Sequence, residues 1–316
     1  MTKINNLHGI EISVIIPTFN RPELVLRAVN CALDQTFYNL EVIVVVDGVD
    51  NVTVSSLKNI IDGRLRLLEL PMNVGGSEAR NVGVRKAKGK WVAFLDDDDE
   101  WFPEKLESQL AAANLSGAHF LVIASRFIAR SPRCDYLWPR RLPEPTEPLS
   151  DYLFVRRSFF FGEGMLQTST IFTNRELLLK IPFTNGLKKH QDWDWVLRVA
   201  HLGDVVFEIL PEPLAVWHIE EDRRSVSSES TWRFSLEWIK ANRNLVTRRA
   251  YAAFIVTQVG PQAALQLEWN AFRLLFVDMF RFGKPRVVDV LTFLAMWLIP
   301  QTLRRKVRVL LTRTRP

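Results

Sequence analysis

The first 125 residues alternate between short apolar runs and amphipathic stretches. Ile12–Ile16 is β-branched and ends at Pro17. Leu24, Ala28 and Cys31 then recur at helical spacing, with Pro22 near the start of that helix. Glu41–Val46 is almost all valine, the composition of a strand covered on both faces. Leu65–Leu70, closed by Pro71, predicts a third strand. Ser77 is placed to cap a helix running to Lys88, and Gly89 to stop it in the left-handed conformation. Trp91–Leu95 predicts a fourth strand, Pro103–Ala113 a helix and His119–Ser125 a fifth strand. Strands alternating with helices predict an α/β fold with a mostly parallel sheet flanked by helices.

The pattern then breaks. Pro132, Pro139, Pro143, Pro145 and Pro148 crowd one segment, which predicts a loop or insertion over a binding face. An aromatic-rich stretch follows, with Phe159, Phe160 and Phe161 before Gly162 and Gly164. Residues 174–180 and 191–202 are expected to be helical, and Val205–Leu210 and Leu214–Trp217 to be short strands. From Ser230 onward the chain is expected to be mostly helical, with Leu265, Phe272, Phe276 and Met279 on one repeat.

Composition changes this picture little, and charge changes it at one end. The 316 residues are 47% hydrophobic and 24% charged, which excludes a disordered chain. Of 41 basic residues, six (Arg304, Arg305, Lys306, Arg308, Arg313 and Arg315) lie in residues 301–316, where there is no acid. The remainder balances, 35 against 35, so the formal charge of +6 belongs to the tail. A balanced main body without a recognised module argues against nucleic-acid binding. Two cysteines, Cys31 and Cys134, give no disulfide framework. The N-terminal residues lack an apolar signal core, so a cytoplasmic protein is expected. The apolar stretch between Asp289 and Arg304 is shorter than the ~18–20 residues of a spanning helix. Leu303, Val307, Leu310 and Leu311 recur at helical spacing among the arginines. That pattern predicts a segment, 287–316, lying on an anionic membrane surface at its inner face, or else packed on the protein.

Three polar features follow predicted strands: Pro17-Thr18-Phe19-Asn20-Arg21, Asp47-Gly48, and Asp96-Asp97-Asp98-Asp99. Ligands of open α/β sheets bind at the carboxyl ends of the strands, so all three are expected to face one site. Four neighbouring carboxylates repel, and a divalent cation is one way to neutralise them. Oxygen-only ligands favour Mg²⁺ or Mn²⁺. Asp99 and Glu100 can instead serve as an acidic start to the next helix. Gly75 and Gly76 can bring backbone N–H groups to an anion. Asp192, in His190-Gln191-Asp192-Trp193-Asp194-Trp195, is a candidate general base among bulky aromatics, or an acid placed to suit a helix dipole. His218, at a predicted strand end, is a minor candidate metal ligand.

The run Ser13–Arg21, then Val44–Gly48, Asn73–Gly83 and Ala93–Trp101, resembles the family 2 glycosyltransferases, which use the Rossmann-like GT-A fold. The resemblance covers roughly residues 10–220. It implies a catalytic domain over 1–225, with a nucleotide-binding part at 10–125 and an acceptor part at 126–225, and a helical region at 226–316. It implies inverting transfer from a nucleoside-diphosphate sugar, a UDP-sugar first, to a glycan or lipid-linked acceptor in surface polysaccharide or lipopolysaccharide synthesis. Pro17, Thr18 and Arg21 would line the nucleotide pocket, and Asp47 would accept a hydrogen bond from the base. Arg80 would lie near the base or diphosphate, and Asp97 near the ribose. Asp98, with Asp96, would bind the metal. Asp192 would be the catalytic base, with Gln191 standing where the family usually has a first acid. The proline-rich stretch and Phe159–Met165 would meet the acceptor. A sugar-nucleotide pyrophosphorylase would want a glycine-rich loop after the first strand, which Pro17–Arg21 does not provide. A non-catalytic membrane-associated scaffold would have no use for both Asp98 and Asp192.

Overall fold

Apolar β-branched runs dictate the centre of the molecule. In the computed structural model, which describes residues 9–132, 134–158, 161–219, 231–266 and 268–299, they form adjacent strands with almost every side chain buried. The strands are β1 (Ile12–Thr18), β2 (Leu40–Val46), β3 (Leu65–Glu69), β4 (Trp91–Phe94), β5 (Glu100–Trp101), β6 (Phe120–Arg130), β7 (Asp135–Trp138), β8 (Phe172–Asn174) and β9 (Val205–His218). They make one sheet in the order β3-β2-β1-β4-β8-β6-β9-β5, with β7 paired to β6. The helices are α1 (Pro22–Leu33), α2 (Asn51–Lys58), α3 (Gly76–Lys86), α4 (Lys105–Ser116), α5 (Leu149–Phe154), α6 (Arg175–Lys180), α7 (Gln191–Ala200), α8 (Trp232–Ala241), α9 (Arg248–Phe254), α10 (Gly260–Leu265), α11 (Trp269–Arg281) and α12 (Val287–Leu298).

The expected α/β architecture is present, and its first four strands pair in parallel. The remainder is more mixed than the expected sheet. β8 enters antiparallel between β4 and β6. β6 and β9 are parallel, while β5 and β7 pair antiparallel with β9 and β6. A three-residue strand such as β8 is too short to show periodicity. The two strands expected over 205–217 are one strand, with its register irregular opposite Ser125–Phe127. Pro211 and Pro213 lie at that irregularity, where a missing ladder donor is tolerated.

Polar side chains buried at the amino ends of the strands fix the register of β1 and β2. Ser13 donates to Glu41 at 2.7 Å, and Lys88 N–H donates to the same carboxylate at 2.6 Å. Arg66 neutralises Glu41, and Gly89 N–H donates to Ser13 Oγ at 2.9 Å. Gly89 therefore does not end α3 in the left-handed conformation as expected. The helix ends at extended Ala87, and Gly89 serves close approach: a Cβ there would lie 2.6 Å from Ser13 N. Gly89→Ala is expected to destabilise the fold by about 1–3 kcal/mol through forced backbone movement. Urea denaturation checks it; an unchanged midpoint would contradict the close approach. Ser77 likewise is not the cap of α3. Gly75, with φ of 87°, holds that position, and Ser77 is buried one residue inside the helix.

The chain divides into two compact units: Met1–Pro143 with Phe161–Arg223, and Glu144–Phe160 with Arg224–Pro316. The sheet lies in the first. The second includes α5, which follows the last proline of the proline-rich stretch. Thr247 caps α9, accepting from Ala250 N–H at 3.0 Å and donating to Asp151 near α5. Phe154 meets Phe254 edge-on, their ring centroids 5.0 Å apart. Between α9 and α10 the helix widens into a π-turn at Ile255–Val259, next to Pro261, which has no N–H to donate. The expected repeat through Leu265 does not hold. Leu265 ends α10 and is exposed, whereas Met279 of α11 is buried. α12 buries Phe293 and Trp297 and leaves Val287, Leu291 and Leu298 exposed. The basic segment 301–316 and Phe159–Phe160 lie outside the described residues. Among the described residues no helix is long and apolar enough to cross a membrane.

Candidate active site

β1, β2 and β4 are neighbours in the parallel part of the sheet, so their carboxyl ends open on one edge. The residues expected to converge do so in three linked groups. Pro17 and Thr18 close β1. Thr18 Oγ1 donates to Asp97 at 2.8 Å, and Arg21, the residue before α1, donates to Asp97 at 2.8 Å and to Asp98 at 3.2 Å. Asp47, at the end of β2, accepts Val74 N–H at 2.7 Å and Gly75 N–H at 2.9 Å. Its two oxygens thus hold the Gly75-Gly76 turn that opens α3. Arg80, one turn into α3 and 7% exposed, pairs with Asp96 and donates to Gln191 Oε1 at 2.8 Å.

The four consecutive aspartates are met by different protein groups. Asp96 takes Arg80, and Asp97 and Asp98 share Arg21. Asp99, 1% exposed, accepts from Ser169 Oγ at 2.6 Å and from Gln167. Ser169 Oγ also accepts Asp96 N–H at 3.0 Å, so Asp99 pins the segment before β8 to the aspartate turn. The alternative in which Asp99 and Glu100 are an acidic start to the next helix does not hold: Glu100 lies in β5, and α4 starts at Lys105. Burial, opposed by Arg21, pushes the Asp97 carboxyl up to about 6. Burial and the charges of Asp98 and Asp96 push Asp99 well above the usual carboxylate range.

Exposure separates the four. The side chains of Asp96 and Asp98 are 27% and 25% exposed, whereas that of Asp97 is 6% exposed. Two accessible carboxylates fit Mg²⁺ or Mn²⁺, which keeps waters and shares itself with substrate phosphates. Among the described residues no group of three or more His, Cys, Asp or Glu is arranged to hold a metal. His218 is drawn to Glu100, its Nε2 2.6 Å from Oε1, and Arg27 lies 3.4 Å from the same carboxylate. The imidazole expected near the metal is therefore engaged by Glu100, and its hydrogen bond does not go to the aspartate run.

Asp192 lies in the first turn of α7 and is half-buried. It accepts Trp193 N–H at 2.9 Å. Desolvation first, and the charge of Asp96, push its carboxyl up to about 6 against the opposing charge of Arg80. Of the two indoles, Trp195 is core, stacked 5.4 Å from Phe183, and Trp193 stacks on His190 at 4.9 Å. His190 enters α7 with φ of 66°, and burial pushes its imidazole down to about 3, so it stays neutral. Asn81, next to Arg80, donates to Phe183 O and accepts Phe183 N–H, both at 2.9 Å. That clamp ties α3 to the chain leading into α7.

The roles of Gln191, Ser169 and Asn81 escaped the sequence reading. Gln191 had one signal, its place before Asp192. Its amide also donates to Leu187 O at 2.6 Å, which fixes the oxygen toward Arg80. Arg80→Met is expected to cost roughly 1–3 kcal/mol, because it leaves the partly exposed Asp96 charge without its partner. Thermal denaturation reads this; a shift of under ~1 kcal/mol would mean that Arg80 is not the neutralising group.

A sheet with its polar residues on this edge and an acid on the facing helix defines a nucleotide-sugar transferase of the GT-A type. Residues 13–181 match the model of glycosyl transferase family 2. The chain belongs to that family and is a nucleotide-sugar-dependent glycosyltransferase. It is 39% identical over 230 residues to the putative teichuronic acid biosynthesis glycosyltransferase TuaG of Bacillus subtilis, covering 70% of this chain and 85% of that one. It is 29% identical over 253 residues to the amylovoran biosynthesis glycosyltransferase AmsB of Erwinia amylovora, covering 77% and 81%. Among solved structures, S. aureus TarS 1-349 in complex with UDP-GlcNAc matches with a TM-score of 0.59 and 19% identity, over 86% of this chain and 80% of that one. The mannosyltransferase PcManGT of Pyrobaculum calidifontis, in complex with GDP-Man and Mn²⁺, matches with a TM-score of 0.55 and 16% identity, over 93% and 89%.

Proposed function

We propose that the protein transfers a sugar, with inversion, from a nucleoside-diphosphate sugar to a hydroxyl of a glycan or lipid-linked acceptor during surface polysaccharide synthesis. A UDP-sugar is the first donor to try. The observation that carries the reading is the Arg80 bridge, which joins Gln191, beside Asp192, to Asp96 of the aspartate run. Donor and acceptor groups are thereby held on one frame. The relatives named for amylovoran and teichuronic acid synthesis support the acceptor class.

Asp192 takes the proton of the acceptor hydroxyl as its oxygen forms a bond to the anomeric carbon. The bond from that carbon to the diphosphate oxygen breaks, and the nucleoside diphosphate leaves with the electron pair. One displacement inverts the anomeric centre, by analogy with inverting glycosidases. Thr18, Arg21 and Asp97 line the nucleotide side, and Asp47 holds the glycine turn that opens α3 by accepting from Val74 and Gly75 N–H. Asp98, with Asp96, would hold Mg²⁺ or Mn²⁺, which when bound offsets charge on the departing diphosphate. Ser77 Oγ and Arg80 Nε are buried without a hydrogen-bond partner, donors well suited to an anionic substrate.

The test is a panel of UDP- and GDP-sugars with Mg²⁺, Mn²⁺ or chelator, following release of nucleoside diphosphate. Metal-dependent release from one donor is the expected result. No release from any donor with either cation would sink the reading.

A further inference from the structure

The second unit carries an open basic concavity that the transfer chemistry does not use. It measures about 450 Å³ and is lined by Lys240 at the end of α8, Arg243 and Asn244 beyond it, Arg248 opening α9, and Arg281 and Phe282 at the end of α11. Cations in a last helical turn suit the helix dipole, which accounts for Lys240 and Arg281. It does not account for Arg248, whose charge at the opening of α9 the dipole disfavours.

Arg243, Arg248 and Arg281 are exposed, and two observations distinguish them from scattered surface charge. First, the guanidiniums are aimed. Arg243 and Arg281 both stack on the ring of Phe282, at 4.4 and 5.2 Å from its centroid. Arg243 Nε is tied to Lys240 O at 3.2 Å, and Arg248 Nη2 to Gly283 O at 3.2 Å. Such ties immobilise long side chains and leave their remaining N–H groups for a ligand. Second, the charge is uncompensated. Among the described residues, Arg243, Arg248 and Arg281 have no carboxylate partner. Buried Asp278, which pairs with the lining residue Lys240 at 3.3 Å, is already shared with the Tyr251 hydroxyl at 2.8 Å. Three pre-oriented guanidiniums around one concavity repel each other until an anion with several oxygens enters. Planar forks match phosphate oxygens in pairs.

We propose that this cavity is a second binding site, separate from the sugar-transfer site, for a phosphate-bearing anion: a soluble diphosphate or the phosphodiester headgroup of an anionic lipid. Both present the same oxygens to the same guanidiniums, and the two arms of one experiment tell them apart. The full-length protein is titrated calorimetrically with inorganic pyrophosphate in chelator. In parallel it is sedimented with phosphatidylcholine vesicles made with and without phosphatidylglycerol. Both arms are repeated with the Arg243→Gln/Arg281→Gln variant. Arg249→Gln is the control, removing the same kind of charge from an exposed neighbour outside the cavity. The double variant is expected to lose about tenfold or more in affinity in one arm, while Arg249→Gln stays near wild type. Loss in the pyrophosphate arm identifies a diphosphate site; loss confined to phosphatidylglycerol vesicles identifies a headgroup site. Absence of wild-type binding in both arms overturns the proposal, as do equal losses in the control or unchanged binding by the double variant. If the double variant does not fold, Arg248→Gln is read against the same control.

Discussion

Asp192→Asn is expected to lower sugar transfer by about 10²–10⁴-fold while donor affinity changes little. The amide keeps the size of the side chain and still accepts Trp193 N–H, but it cannot take a proton from an acceptor hydroxyl. Single-turnover transfer beside equilibrium donor binding makes the comparison; transfer at the wild-type rate would remove Asp192 as the base. The pH dependence follows from the same site. Burial and Asp96 raise the Asp192 carboxyl to about 6, so its ionised, active form is lost as pH falls through that value. The transfer rate should therefore rise through about pH 6 and level above it, and the residual rate of Asp192→Asn should lack that limb. Stability has the opposite sign. The folded state holds this proton more tightly than the unfolded chain, so ionisation costs stability as pH rises from the ordinary carboxylate value to about 6. Above that pH the amide variant is expected to be more stable by roughly 1–2 kcal/mol, the shift being discounted for partial exposure. An inactive but more stable variant is hard to obtain from a merely structural aspartate.

Asp98→Ala is expected to abolish the metal dependence of donor binding and to lower transfer by about 10²-fold or more. Asp98 is one of the two more accessible carboxylates of the run, and Arg21, which pairs with it, also grips Asp97. Removing Asp98 leaves Arg21 paired, so the fold should survive. Asp99→Ala should behave in the reverse manner. It frees Ser169 and Gln167 from a buried pin and should lower the melting temperature. Donor binding titrated with Mn²⁺ in both variants separates the two roles. Equal metal dependence in Asp98→Ala and wild type would exclude Asp98 as a ligand.

Much of this was legible in the chain. β-branched runs at Ile12–Ile16 and Glu41–Val46 can be satisfied only as buried strands, and they are. Polar residues directly after such strands must lie on one edge of a parallel sheet, and Thr18, Asp47 and Asp96 do. What could not be read is the distribution of charge within that edge. Four aspartates in a row look alike in sequence. Only the fold gives Arg80 to Asp96, Arg21 to Asp97 and Asp98, and Ser169 with Gln167 to Asp99. It leaves Asp96 and Asp98 partly accessible and buries Asp97 and Asp99.

Glycine and histidine make the same point. Gly89 resembled a helix stop, but its role is to admit Ser13 N at a distance that no Cβ allows. His218 resembled a ligand at a strand end, and β9 delivers it to Glu100 through the pairing of Glu100 with Val216. The sequence by itself determined the α/β class, the edge on which chemistry occurs and the residue types gathered there. Those follow from local apolar patterning and strand direction, which are properties of short segments. Tertiary structure alone decided which carboxylates are desolvated, which meet an arginine and which stay accessible. Those depend on burial and on partners that come together only on folding: 16 residues away for Asp96, 76 for Asp97 and 70 for Asp99.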